Sequence, residues 1–256
     1  METSLFWTLS DIIVMVRRNL LRYLRLPQLL IFSTIQPVMF LLLFAFVFGG
    51  AIKVPGQNYI NYLIPGIFVQ TAIFGAIQTG VGLADDLSRG LIDRFRSLPM
   101  SRSAVLAGRT ISDMSRNVFV VLLMTAVGYA IGFRFQNGFW HAAGALGLTI
   151  LFGFAFSWIA ATIGLLVKNT ETAQVAGFIW VFPLVFASSI FVPISSMPKA
   201  LAGFAKISPI TVTVNSTRAL TLGGPLTHDL WQSLVWIAGI LIVFVPVSIY
   251  LYRRTV

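Results

Sequence analysis

The sequence contains no cysteine, which excludes disulfides and thiolate metal sites. Its two histidines, His141 and His228, lie far apart and lack the spacing of metal ligands, so no metal site is expected. Charge is scarce as well: eighteen Lys and Arg and eight Asp and Glu, or 10% of 256 residues, against about 25% in an ordinary globular domain. A water-facing surface cannot be built from that composition. No G-x-x-x-x-G-K-S/T occurs, nor any Gly-Lys pair, so the chain does not hydrolyse ATP through a P-loop. No cluster of His, Asp, Glu or Ser offers acid–base or nucleophilic chemistry, and no catalytic residue is assigned. No carboxylate sits mid-way along an apolar run, since Asp113, Glu171 and Asp229 fall at segment ends. A proton-coupled carrier, which needs a titratable group near the midplane, is therefore disfavoured.

What the chain has instead is apolar length. Hydrophobic residues make up 57% and the mean hydropathy is +0.88, the composition of an all-α integral membrane protein. Residues 1–256 read as a single membrane domain. A spanning helix needs about 20 mostly apolar residues, and six stretches qualify: 28–48, 60–83, 111–133, 141–166, 172–193 and 230–251. The first opens after Pro27 and stops at Gly49-Gly50, with a kink expected at Pro37. The third can extend back to residue 104, which places Arg109, Asp113 and Arg116 on one face at its end. They read either as a local ion pair near the headgroups or as part of coupling or the substrate path. A G-x-x-x-G at Gly128 to Gly132 permits a close helix contact.

Lys and Arg collect in cytoplasmic loops. With the N-terminus inside, thirteen of these cations fall on the inner side and five on the outer, the latter including Arg134 and Arg218. Both termini are thus expected in the cytoplasm, in a multi-pass protein of the cell membrane. A cleaved signal peptide is not expected, because the first apolar run begins only after residue 27 and no cleavage site follows a short apolar core. Before that run, residues 4–26 read as an interfacial amphipathic helix. Arg18, Arg22 and Arg25 recur on one face as anchors, opposite a stripe of Ile13, Val16, Leu20 and Leu24.

The stretch "DDLSRGLIDRFRSLPMSR", 85–102, gathers four Arg and three Asp in an otherwise apolar chain. Within it Leu87, Leu91, Phe95 and Leu98 form an apolar stripe, and Pro99 ends the pattern. Topology alone explains the arginines but not the aspartates or the stripe. A short amphipathic helix over 85–98 suits docking into a groove of a partner protein.

Gly90 with the following "LIDRFRSLPMSR" and the Arg-bearing helix after it resemble the membrane subunits of type 2 ABC transporters, and among them actinobacterial permeases of the daunorubicin-resistance kind. The likeness covers the whole chain. It includes the outer connection "PISSMPKALAGFAKISPITVTVNSTRALTLGG", with its Met-Pro, Ser-Pro, Arg and Gly-Gly in order. One departure stands out: many members carry Glu two residues before the Gly, where this chain has Ser88. The resemblance implies a permease of an ATP-driven exporter, linked to drug and antibiotic resistance or lipid transport. It would move hydrophobic or amphipathic compounds out of the cytoplasm or inner leaflet. It also implies a cytoplasmic coupling helix seated on an ATP-binding subunit, present in two copies and holding the ATP and Mg. The second membrane half would be an identical chain or a related permease. On that reading Leu87, Leu91, Arg94, Phe95, Arg96 and Leu98 make the ATPase contact.

The outer connection, 194–225, is too apolar for a solvated loop, yet Pro198 and Pro209 break any full span. Short helices dipping into the outer leaflet fit; in the family such re-entrant helices shape the exit. Candidates for the cargo path are the polar residues Gln36, Gln70, Gln78 and Asn117 and the rings of Phe40, Phe74 and Phe182. The plain alternatives are interhelical hydrogen bonding and packing. A secondary transporter or channel working without an ATPase is the alternative function, and nucleic acid is not an expected partner.

Overall fold

A computed structural model describes residues 5–25, 27–52, 54, 56–91, 102–167 and 169–255. Every regular element among them is helical: α1 (Leu5–Arg25), α2 (Pro27–Leu42, continuing as a π-helical turn over Leu43–Val47), α3 (Tyr59–Ser88), α4 (Arg102–Ala130), α5 (Gly138–Val167), α6 (Thr170–Phe186), α7 (Lys199–Ile207), α8 (Pro209–Leu222) and α9 (Thr227–Thr255). Among the described residues, Tyr59–Ser88, Ala104–Ala130, Gly138–Val167 and Thr227–Arg254 are long and apolar enough to cross a membrane, while Ser33–Val47 and Thr170–Phe186 are apolar but shorter.

The third helix is the axis of the fold. Its sequence is apolar on every face, and a helix of that kind must be covered all round. Accordingly Leu63, Ile67, Phe68, Ile73 and Leu83 are fully buried, with α4, α5, α6 and α8 packed around them. Lipid tails are as apolar as leucine, so helices in a bilayer are held by close packing rather than by escape from water. The α3–α5 crossing shows how closeness is obtained. A Cβ on Gly164 would strike the Gly80 backbone, one on Gly80 would strike the Ala160 carbonyl, and one on Gly153 would lie 2.8 Å from the Ala72 Cβ. The G-x-x-x-G that permits such a contact supplies one at Gly128, against Ile64 of α3, and not at Gly132. Gly132 lies beyond the end of α4 at φ 102°, and Gly128 faces Ile64 and Phe133 of its own chain.

Two helices end differently from the apolar runs that encode them. The fourth helix is described from Arg102, well before the apolar run at 111, and its Arg109, Asp113 and Arg116 are buried inside the bundle rather than left at its edge. The sixth stops at Phe186, and residues 188–191 are buried without helical structure. Backbone of that kind is tolerated at depth only where protein satisfies its polar groups. Here Tyr62 donates to the Ser189 carbonyl (2.9 Å), Tyr59 donates to the Phe191 carbonyl (3.0 Å), and Ser189 N–H donates to Thr211 Oγ1 (3.1 Å).

Arg218 of α8 completes the set. Its Nη2 donates to the carbonyls of Ser189 (2.5 Å) and Ile190 (3.0 Å), its Nη1 to Ser189 Oγ (3.2 Å), and its Nε to the Tyr62 carbonyl (2.8 Å). Burial draws the guanidinium down to about 10, which leaves it protonated at neutral pH. Counted from sequence as an outer-loop charge, Arg218 is instead a buried staple. In the 194–225 connection, α8 is buried along its length, whereas α7 keeps Leu201, Phe204 and Ile207 exposed.

Candidate functional site

The stretch 85–98 does not form one helix. Residues 85–88 are the last turn of α3, and the chain turns at Gly90, whose φ of 66° is the left-handed geometry that ends helices. Asp85 and Asp86 therefore face the bundle. Leu87 packs on the cluster of Met15, Leu83 and Leu106, and Leu91 is half-buried. Arg94, Phe95, Arg96 and Leu98 lie outside the described residues.

Around those two aspartates the charges of three helices converge. Asp85 pairs with Arg22 of α1 at 3.4 Å and with Arg89 at 2.8 Å. Asp86 meets Arg109 of α4 at 3.4 Å and Arg18 of α1 at 4.0 Å. Arg109 continues to Asp113 at 3.2 Å, and the Tyr23 hydroxyl donates to the same carboxylate. Burial, followed by the charge of Asp113, pushes the Tyr23 phenol upward, so it remains a neutral donor. Gly82 makes room for this arrangement, since a Cβ there would fall on the Arg109 guanidinium. A buried ion pair gives little net stability, yet losing one partner is costly because the other charge is stranded. The network thus fixes geometry more than it adds stability.

The first helix docks through a different face from the stripe read in sequence. Met15 and Asn19 are buried, and a Cβ on Gly108 of α4 would strike Met15. Ile13 is 66% exposed. Arg18 and Arg22 reach inward to the aspartates, and Arg25 is exposed.

Beside the network is a cavity of about 490 Å³, walled by α1, α2, α3, α4 and α6. Of the residues proposed for a cargo path, Gln36, Phe74 and Gln78 line it, together with Arg22, Arg116 and Phe178. Phe74 and Phe178 lead into a chain of rings. Phe182 stands edge-on to Phe74 at 5.4 Å and stacks on Phe186 at 5.5 Å. Phe186 lies 5.1 Å from Phe191, and Phe191 stacks on Phe44 at 4.0 Å. Phe40 stacks against Phe74, Phe44 and Phe191. An apolar track therefore joins the cavity to the turn held by Arg218.

Two candidates fall elsewhere. Gln70 is buried off the cavity, and Asn117 donates to the Ala72 carbonyl at 3.3 Å, packed where a Cβ on Gly75 would strike it. Sequence reading missed Tyr23, Asp85 and Asp86 as members of the site. The signal for the aspartates was present: an acidic pair closing an apolar run, in a chain with only eight carboxylates. Among the described residues, no group of three or more His, Asp or Glu could hold a metal ion.

Comparison with known proteins gives a consistent set of relatives. Residues 10–222 match the family model described as ABC-2 type transporter. A daunorubicin resistance ABC transporter permease protein of Streptomyces coeruleorubidus is 33% identical over 237 residues, covering 93% of this chain and 84% of that protein. A probable doxorubicin resistance ABC transporter permease protein of Mycobacterium tuberculosis is 26% identical, covering 96% of this chain and 89% of the other. An inner membrane transport permease of Escherichia coli K12 is 22% identical, with 89% and 88% covered.

Proposed function

The chain belongs to the ABC-2 type transporter family and is a multi-pass permease subunit of an ABC exporter, and from that premise we propose how it takes up energy and cargo. The energy comes from an ATP-binding partner, two copies of which hold ATP and Mg beneath two membrane halves, identical or related. Six crossings over the apolar runs leave both termini in the cytoplasm, beneath the cell membrane. Cargo is hydrophobic or amphipathic: a drug, a lipid or a lipid-like metabolite. It enters the cavity from the inner side and leaves along the phenylalanine track, and α7 and α8 form the outer re-entrant region.

One observation carries this reading. Asp85 and Asp86 are the last carboxylates before residues 91–98, and they are paired to helices that wall the cavity, α1 and α4. A partner that pushes on residues 91–98 cannot move them without pulling on Arg22, Arg18 and Arg109. The cavity wall and the ATPase contact are then one mechanical unit.

The test is co-purification of the tagged chain with its candidate ATPase in mild detergent, wild type against Phe95→Asp. Retention by wild type and loss by the variant is the expected result. If the chain purifies alone and Phe95→Asp changes nothing, the docking role fails and a carrier working without an ATPase takes its place.

A further inference from the structure

The cavity lining is predominantly cationic, with Arg22, Arg109 and Arg116 against Asp85. Its network holds five guanidiniums, from Arg18, Arg22, Arg89, Arg109 and Arg116, against the carboxylates of Asp85, Asp86 and Asp113. Arg109 is consumed by Asp86 and Asp113, but Arg116 forms no ion pair among the described residues. Its side chain is buried, with 6% of the residue exposed, and it rests 5.8 Å from the Tyr23 ring centre. Among the described residues only Nη2 is used, donating to the Gly75 carbonyl at 2.6 Å and to Asn117 Oδ1 at 3.5 Å, and the Nε–H has no acceptor. Thr71, 3% exposed and also lining the cavity, has a buried hydroxyl with no partner among the same residues. Asp113, the carboxylate that feels the Arg116 charge, is already held by Arg109 and Tyr23. A buried cation that shares its carboxylate and lacks full hydrogen bonding is costly, and an anion with acceptor oxygens lowers that cost.

Part of the lining is aromatic. Phe74 and Phe178 line the same cavity and begin the track of rings, so a molecule seated there meets both donors and apolar surface. Ligand sites commonly combine an apolar wall with a few placed polar groups that fix orientation. We propose that the cavity binds the acidic oxygen head, phosphate or carboxylate, of an amphipathic cargo, with Arg116 and Thr71 on the head and Phe74 and Phe178 along the tail. This deepens the permease reading and rests on it for the word cargo. The binding itself does not need an ATPase.

The test uses the purified full-length chain in a neutral detergent, without the partner. Dodecyl phosphate, dodecyltrimethylammonium and inorganic phosphate are titrated by equilibrium dialysis or native mass spectrometry. Saturable binding of dodecyl phosphate, at least tenfold tighter than the ammonium analogue, is expected. Inorganic phosphate should compete only at far higher concentration, because it lacks the tail; competition at equal concentration would overturn the amphipath and leave a bare anion site. Arg116→Gln should weaken dodecyl phosphate by tenfold or more. Because that variant can also disturb packing, Thr71→Val and Gln78→Glu are measured beside it with melting curves. Thr71→Val should weaken binding several-fold at unchanged melting temperature. Gln78→Glu, which adds a carboxylate to the lining, should shift preference toward the ammonium probe. Equal binding of both charged probes, or folded variants that bind like wild type, would overturn the proposal. Co-purification with the ATPase reports on the permease reading separately, so either idea can fail without the other.

Discussion

The guanidinium of Arg218 lies 3.6 Å from the centre of the Tyr62 ring, while its Nε donates to the carbonyl of the same residue at 2.8 Å. One side chain of α8 thereby holds α3 by ring and backbone and the 188–191 turn by two further carbonyls. Removing it strands buried acceptors on two elements. Arg218→Leu should cost about 3 kcal/mol or more, since charged hydrogen bonds contribute about 1.5–3 kcal/mol each. Arg218→Lys should recover less than half of the loss, because an ammonium lacks the planar fork and stacks poorly. Melting in detergent, followed by gel-filtration monodispersity, checks both.

The α3–α5 crossing predicts a contrast between two glycines of one helix. Gly164→Ala should destabilise by about 1–3 kcal/mol, since the new methyl meets the Gly80 backbone and neither helix can yield. Gly147→Ala meets nothing within 4 Å and should be neutral or stabilising by up to about 1 kcal/mol, through helix propensity. Unfolding in mixed micelles reads the difference. Equal effects would mean that the seam is looser than it stands here.

Tyr23 and Asp113 lie ninety positions apart and share a hydrogen bond. Tyr23→Phe should cost about 1–3 kcal/mol by taking a donor from a buried carboxylate. In an Asp113→Asn background the same change should cost much less, because the bond is no longer charge-assisted. A double-mutant cycle on thermal stability gives the coupling energy directly. A coupling near zero would mean that α1 is held by packing at Met15 and not by the network.

These sites show where sequence was sufficient and where it was not. The long apolar helices were legible because composition alone forces them, and the charges at Arg109, Asp113 and Arg116 were placed on one helix face by spacing. Their burial was not legible, because the groups that compensate them, Tyr23 and Asp86, come from other helices. The end of α6 was hidden for the same reason. Residues 187–193 read as a continuation of an apolar run, and Tyr59, Tyr62, Thr211 and Arg218, all distant in sequence or on other helices, make the break tolerable. Gln36, Phe74 and Gln78 line the cavity, whereas Gln70 and Asn117, amides of the same chemistry, are buried away from it.

The stapled turn also determines where this molecule can bend. A break in a helix is ordinarily its weakest point, yet at 188–191 every released carbonyl named above is gripped by a neighbouring element, so Tyr62, Ile190 and Arg218 travel as one rigid block. Compliance must reside elsewhere. The second helix is the place: Pro37 removes one rung of its ladder, and the π-helical turn at Leu43–Val47 loosens the next. Stiffness is therefore graded along the ring track, with a yielding wall at Phe40 and Phe44 facing a fixed one at Phe191.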